Sequence, residues 1–208
     1  MSHYFSEQQR APSDEREIVV DVVDPPLTLR TDRGVFSHGR LDNGTALLLR
    51  QAPPPPADGV LLDLGCGAGA IALTLARRSP ASLVVAVDVN ERARWLCSGN
   101  AERNGLTNVD VAAPYEVDPA MRFDLIWSNP PIRIGKAQLH ELLTTWLGRL
   151  TPTGSAVLVV QKHLGADSLQ RWLGGNGWPT RRLASSKGFR LLLVERSDPR
   201  RVDGHSYP

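Results

Sequence analysis

The sequence predicts a doubly wound α/β sheet, and three observations support this fold class. From Gly59 onward, short apolar runs alternate with helical segments, as strands and helices do in such sheets. Glycines at positions 65, 67 and 69 directly follow the first apolar run and precede a helical segment. The composition, 41% hydrophobic and 22% charged over 208 residues, is that of a globular chain able to bury a full core.

Residues 1–52 are predicted to form an N-terminal extension. Residues 1–16 are polar, and the turn residues Asp24-Pro25-Pro26 separate two extended segments, which predicts a β-hairpin. The strands are expected at 17–23 and 27–31, a turn-rich, lid-like segment at 34–45, and a short helix at 45–50. The run Pro53–Pro56 then forms a stiff, extended connector.

The main domain is predicted over residues 53–196, and residues 197–208 are expected to be a polar tail. Strands are expected at 60–64, 83–87, 109–112, 123–127 and 155–161, and helices at 70–78, 91–104, 137–150 and 166–173. Two last strands, at 181–184 and 190–195, are expected to form a closing antiparallel pair.

The glycine loop, Gly65–Gly69, predicts a nucleotide-type ligand, because its backbone can approach a ligand closely and present helix N-terminal amides to it. The loop alone fits either a dinucleotide or S-adenosylmethionine. Asp88 lies where an acid that holds ribose hydroxyls is expected in both cases. Asp63 favours S-adenosylmethionine, because a carboxylate before the glycines would repel a pyrophosphate but attract the amino group and sulfonium of a methionine end.

Asn129-Pro130-Pro131 follows the strand predicted at 123–127 and carries the second chemical signal. A polar amide followed by two residues with fixed φ and no N–H predicts a rigid ledge with free acceptors that grips a planar amino group. The Asn129 side-chain oxygen and the Pro130 carbonyl are predicted to accept the two protons of an exocyclic amine and to stabilise its developing positive charge. Methyl transfer then needs mainly correct positioning of the amine.

Four stretches together resemble one enzyme family: His3–Ser6, Gly34–Ser37 with Leu41–Thr45, Asp63–Gly69, and Ser128–Ile132. The chain resembles the class I S-adenosylmethionine-dependent methyltransferases, and within them the methyltransferase small domain group typified by RsmC-type guanine-N2 methyltransferases of small-subunit ribosomal RNA. This resemblance implies a Rossmann-like, seven-stranded, mostly parallel sheet with an antiparallel last strand. It also implies a cofactor at the carboxyl ends of the first two strands, with an N-terminal element closing over it.

The resemblance assigns roles to single residues. Catalysis falls to Asn129 and Pro130, substrate binding to Pro131 and Ile132, and S-adenosylmethionine binding to Asp63, Gly65, Cys66, Gly67, Gly69, Asp88, Phe36 and Ala113. No metal is expected. The partner implied is RNA of the small ribosomal subunit.

Three features depart from the family pattern. The longer members carry a second, degenerate methyltransferase-like half, whereas this chain has one copy. Ile132 stands where an aromatic residue often follows Asn-Pro-Pro, so stacking on the target base is expected from Phe36 or Trp127. Ala113 ends the third strand without the acid that commonly binds adenine, so backbone contacts are expected there.

Composition excludes several other classes. No apolar run approaches the roughly 18 residues of a membrane span, and the N-terminus lacks signal-peptide regions, so a cytoplasmic protein is expected. Cys66 and Cys97 are too few for a disulfide scaffold or a zinc site. The net charge of +2 does not by itself indicate nucleic-acid binding. A release-factor-type glutamine methyltransferase and a non-catalytic S-adenosylmethionine-binding module remain as alternatives.

Overall fold

The computed structural model describes residues 13–196, so the stretch His3–Ser6 and the predicted tail lie outside the described residues. The elements, in chain order, are β1 Arg16–Val20, β2 Leu27–Thr31, α1 Asn43–Gln51, β3 Asp58–Leu64, α2 Ala70–Arg78, β4 Ala81–Val87, α3 Glu91–Arg103, β5 Val109–Ala112, β6 Phe123–Ser128, α4 Lys136–Leu147, β7 Leu150–Gln161, α5 Ala166–Gly175, β8 Thr180–Ser186 and β9 Phe189–Glu195. Every element predicted within the described residues is present. Most bounds differ by only a few residues.

The main sheet has seven strands in the order β5-β4-β3-β6-β7-β9-β8. β9 is antiparallel to β7 and β8, and the other pairs are parallel. This confirms the Rossmann-like fold with an antiparallel last strand. The order reverses beside β3, whose neighbours are β4 and β6, and ligands of such sheets bind at this switch point beyond the carboxyl ends of the strands.

Both faces of the sheet are covered by helices. Alternate residues of the central strands point to opposite faces, so Trp127 of β6 belongs to one buried cluster and Ile126 to the other. The first cluster includes residues of α1, α2 and α3, and the second includes residues of α4 and α5. These continuous apolar strands are those expected of a parallel sheet buried on both faces.

β7 begins five residues earlier than expected, at Leu150 rather than Ser155. Leu150 pairs with Phe123 of β6, but the next pair joins Leu125 to Ser155, so the extra residues of β7 form an irregularity. This early start was not predicted, because Pro152 and Gly154 are residues typical of a turn.

The β1–β2 hairpin forms its own two-stranded sheet and docks on α3. Two asparagines of α3 hold it: Asn100 exchanges hydrogen bonds with the backbone N–H and C=O of Arg30, and Asn104 does the same with Thr28. Each amide thus replaces the neighbouring strand that an edge strand lacks. The hairpin is therefore fixed beside the half of the sheet that carries the glycine loop.

Among the helices of residues 13–196, none is both long and apolar enough to cross a membrane.

Candidate active site at the carboxyl ends of the parallel strands

The glycine loop joins β3 to α2 in a conformation that requires glycine. Gly65, Gly67 and Gly69 all have positive φ, at 83°, 54° and 95°. A Cβ on Gly69 would lie 2.9 Å from Cys97 Sγ, so this glycine also lets α3 approach closely. The N–H groups of Gly65 and Cys66 donate to Val87 O at 2.8 and 3.0 Å, which fixes the loop to β4.

Asp63 lies beneath the loop and is fully buried. Its Oδ2 accepts a hydrogen bond from the N–H of Ala72, in the first turn of α2, at 2.9 Å. Its Oδ1 has no hydrogen-bond partner among the described residues. Burial raises the pKa of Asp63 to about 8, and the nearby Asp88 carboxylate acts in the same direction. The carboxyl group is therefore mostly neutral at pH 7, and Oδ1 is the oxygen that would hold the proton or, once the proton is lost, accept from a cation.

Asp88 follows β4 and supports the same loop. Its two carboxylate oxygens accept from the N–H groups of Gly67 and Asn90, at 3.0 and 2.9 Å. Burial raises the pKa of Asp88, although these two hydrogen bonds oppose the shift. Asp88 is thus placed beside the glycine loop, as predicted, and it also has a structural role there.

The lid-like segment lies over the loop. Asn90, the N-cap residue of α3, donates from Nδ2 to Gly34 O at 2.9 Å, and Arg92 donates to Arg33 O at 2.8 Å. Phe36, 49% exposed, lines a small cavity with the glycine loop and Asn129. The structure therefore places the predicted cofactor residue Phe36 between the two motifs.

Asn129 has a fixed side chain. Its Nδ2 donates to Asp42 Oδ2 at 3.0 Å and to Thr45 Oγ1 at 3.1 Å. Because an ionised carboxylate can only accept, the amide nitrogen must face Asp42, and the amide oxygen must point away from it. No described residue donates to that oxygen. Asn129 Oδ1 is therefore an acceptor in a fixed orientation, and Asn129 lines the cavity.

Asp42 and Thr45 were not predicted as site residues. Asp42 is the N-cap of α1, and its Oδ2 also accepts from the N–H groups of Gly44 and Thr45. These contacts with Asn129 span 87 and 84 residues of sequence. The sequence offered two signals, an acid directly before a short helix and the Leu41–Thr45 stretch of the family resemblance, but neither predicts Asn129 as a long-range partner.

The ledge after Asn129 differs from the prediction in one respect. Pro130 O accepts from the N–H of Ile132 at 2.8 Å, so this carbonyl is not a free acceptor. The cause is the geometry of Pro131, whose φ of −74° and ψ of 73° form an inverse γ-turn. A carbonyl has a second lone pair, which an amine could still use.

Neither Ile132 nor Trp127 can stack on a target base. Ile132 begins a short 3-10 turn and packs against the second buried cluster. Trp127 is 0% exposed, so the expectation that it stacks on a base is wrong: its position in β6 turns the indole into the core. Phe36 is the exposed aromatic side chain that lines the cavity.

Cys66 and Ala113 complete the predicted set. A hydrogen bond with Cys97 and burial raise the pKa of the Cys66 thiol well above its usual range, so Cys66 packs in the loop as a neutral thiol.

Ala113 donates its N–H to Glu116 Oε2 at 2.6 Å and accepts from Glu116 N–H at 3.0 Å. Both backbone groups are thus engaged, and the cofactor contact of Ala113 stays a prediction. Glu116 supplies a nearby acid that sequence reasoning missed.

A second, larger cavity of about 490 Å³ lies at the opposite end of the sheet, lined by residues of the proline connector and the amino ends of β3 and β6. It is far in the fold from the glycine loop and Asn129.

Several known proteins are related to this chain in sequence. A family model described as "Methyltransferase small domain" matches residues 26–192. "Uncharacterized protein YbxB" of Bacillus subtilis (strain 168) is 37% identical over 169 residues, which cover 80% of this chain and 84% of that protein. "Ribosomal RNA small subunit methyltransferase C" of Pseudomonas aeruginosa (strain LESB58) is 41% identical over 170 residues, covering 79% of this chain and 49% of the relative. The chain therefore spans about half the length of this ribosomal RNA methyltransferase.

A solved structure agrees with these sequence matches. The chain aligns with "T. Thermophilus 16S rRNA N2 G1207 methyltransferase (RsmC) in complex with AdoMet and Guanosine" at a TM-score of 0.70 and 26% identity. The alignment covers 91% of this chain and 52% of that protein. The match thus extends over nearly all of the chain.

Proposed function

We propose that this chain, which belongs to the methyltransferase small domain family and is an S-adenosylmethionine-dependent methyltransferase, methylates the exocyclic N2 amine of a guanine in RNA of the small ribosomal subunit. The observation that carries the proposal is the fixed amide of Asn129, a residue that lines the cavity and whose oxygen accepts from no described residue. The relatives support the RNA substrate by their names. The solved T. thermophilus enzyme, which contains AdoMet and guanosine, supports guanine as the base.

The residues at the glycine loop fit the cofactor. Asp63 Oδ1 is a buried oxygen without a partner, and a cationic amino-acid end beside it would favour loss of the Asp63 proton and pair with the resulting carboxylate. Asp88 offers the remaining lone pairs of its carboxylate to ribose hydroxyls. Phe36 would cover the cofactor from the lid-like segment. When bound, S-adenosylmethionine supplies a methyl group on a sulfonium, which a nucleophile in line with the S–CH₃ bond displaces.

Asn129 would act on the target amine. The lone pair of an exocyclic amine is delocalised into the ring, so the amine is a weak nucleophile. Accepting one of its protons at Asn129 Oδ1, and the other at the second lone pair of Pro130 O, shifts electron density onto nitrogen and stabilises the positive charge that develops. The proton then leaves to solvent after transfer, and no strong general base is needed.

Asp42 would strengthen this acceptor. A carboxylate that accepts from Nδ2 polarises the Asn129 amide and increases the negative partial charge on Oδ1. Thr45 Oγ1 holds the same Nδ2 from a second direction, so the amide cannot rotate freely. Both groups therefore act through Asn129 and are positioning residues.

Radiolabelled S-adenosylmethionine, offered with small ribosomal subunits, naked ribosomal RNA or release factors, tests the proposal. We expect label in RNA, recovered as N2-methylguanosine after digestion. Label in protein would contradict the RNA assignment, and label at another nucleoside would contradict the guanine assignment. Asn129→Ala serves as the inactive control for background incorporation.

A further inference from the structure

We propose that exposed cations at the carboxyl edge of the sheet bind the phosphates of an RNA strand and guide its target nucleotide to Asn129. This inference rests on the proposed function and names the surface that the substrate would use. We call this surface the cationic rim; it consists of Arg40, Arg133, Lys136, Lys162 and Lys187, all of which are exposed.

Two lysines of the rim are neighbours at one end. Lys162 directly follows β7, and Lys187 lies in the turn between β8 and β9. Because β8 and β7 are both antiparallel to β9, the ends of β7 and β8 lie at the same edge of the sheet as Asn129. The N–H of Lys162 donates to Gly188 O at 2.7 Å, which joins the two lysine segments directly.

The other three cations lie nearer to the target-amine site. Arg133 is in the turn that follows the Asn129–Pro131 ledge, and Lys136 is the first residue of α4. Arg40 lines the same cavity as Asn129. The rim therefore extends from the cavity across the carboxyl ends of β6, β7 and β8, on the half of the sheet opposite the cofactor loop.

The charge of the rim is not neutralised within the protein. Among residues 13–196, the described ion pairs include none of its five cations. Asp167, an acid near this edge, is already paired with Arg190. Asp58 and Asp124 lie at the amino ends of β3 and β6, away from the rim, so these two acids do not offset its charge. A polyanion would approach the end that holds Asn129.

Two of the cations occupy positions that do not favour them locally. Lys187 and Gly188 have φ of 46° and 81°, and a two-residue turn with both central residues at positive φ prefers Asn-Gly over Lys-Gly. Lys136 stands at the positive end of the α4 dipole, where an acid would be stabilising. Local stability therefore does not explain these charges, whereas phosphate binding does.

Binding of a ribosomal RNA fragment, measured by fluorescence anisotropy over a series of salt concentrations, tests the rim. The test variant is Lys162→Gln with Lys187→Asn, since asparagine suits the turn and keeps it folded. The matched control is Arg181→Gln with Arg182→Gln, which removes the same charge from exposed residues at the other end of β8. Melting temperatures and S-adenosylmethionine affinity of all three proteins establish that the fold and cofactor site are intact.

A plot of the logarithm of the RNA association constant K against the logarithm of the salt concentration has a negative slope. We expect this slope to be shallower by about 1.4 in the test variant, since each phosphate contact with a single strand contributes roughly 0.7. This corresponds to about 25-fold weaker RNA binding near 0.1 M salt, with a similar rise in KM for RNA and little change in kcat. The control should keep the slope of the unmodified protein.

Three outcomes would contradict the proposal that the cationic rim binds RNA. If RNA is methylated but the test variant keeps the full slope, the rim is wrong while the proposed function stands. If both variants lose the same slope, net charge rather than this surface determines binding. If the unmodified protein labels a protein substrate and does not bind RNA, both the proposed function and the rim are wrong.

Discussion

The buried carboxyl group of Asp63 leads to a specific prediction about stability and pH. Asp63 has a pKa of 3.8 when exposed and about 8 in the folded protein without cofactor. Between these values the unfolded chain is ionised and the folded chain holds a proton, so folding binds one proton. The free energy of unfolding should therefore fall as pH rises, by about 1.4 kcal/mol per pH unit from this group.

The change from pH 5 to pH 7 is then on the order of 3 kcal/mol, and the effect should level off above pH 8. Asp63→Asn keeps an oxygen that can accept from Ala72 N–H, but its side chain cannot ionise. The free energy of unfolding of this variant should therefore depend less on pH, because the contribution of Asp63 is removed. Asp88, whose pKa is also raised, leaves some dependence of the free energy of unfolding on pH in both proteins. The difference between the two slopes isolates Asp63.

Urea denaturation of both proteins without cofactor, at constant ionic strength from pH 5 to 8.5, measures this difference. Asp58→Asn, an exposed residue at the start of the same strand, controls for the removal of one acid. Parallel curves for the unmodified protein and Asp63→Asn would refute the reasoning. With S-adenosylmethionine present, a cation near Asp63 should expel its proton, so calorimetry in two buffers should detect proton release that Asp63→Asn lacks.

The remaining predictions concern the residues around the cavity. Asn129→Ala should keep cofactor affinity but lower single-turnover methylation by on the order of 10²–10³, as loss of one polar group that stabilises transition-state charge does; retained turnover would overturn its role. Asp42→Ala should reduce kcat about tenfold, because the Asn129 amide is released, and it should lower the free energy of unfolding by about 1 kcal/mol, because α1 loses its N-cap. The control Asn43→Ala, at an exposed neighbouring residue, should change kcat little. Phe36→Ala should weaken S-adenosylmethionine binding in calorimetry about tenfold, and an effect confined to KM for RNA would instead make Phe36 a base-stacking residue.

Local patterns in the sequence were enough to predict the elements and the two chemical motifs. The glycine loop depends on conformations that glycine adopts and on its place between a strand and a helix, both readable from adjacent residues. The Asn129–Pro131 ledge is likewise a local feature. The carboxyl ends of parallel strands meet at one edge, so α/β alternation already predicted that these motifs would share a site.

Details that depend on distant residues were not predictable. The pairing of Asn129 with Asp42 and Thr45 joins segments more than eighty residues apart in the sequence, and no local pattern specifies it. The use of Pro130 O by Ile132 depends on the exact backbone angles at Pro131, since the fixed φ of proline leaves ψ open.

Composition, strand–helix alternation and two short motifs thus determine the fold class and the cofactor type, and they predict the kind of atom that is methylated, because each depends on residues close together in the chain. Burial, side-chain orientation and charge distribution were decided by packing. Packing turned Trp127 into the core, raised the pKa of Asp63, and gathered cations from separate turns along one edge. These properties come from contacts between residues far apart in sequence, and such contacts exist only once the chain has folded.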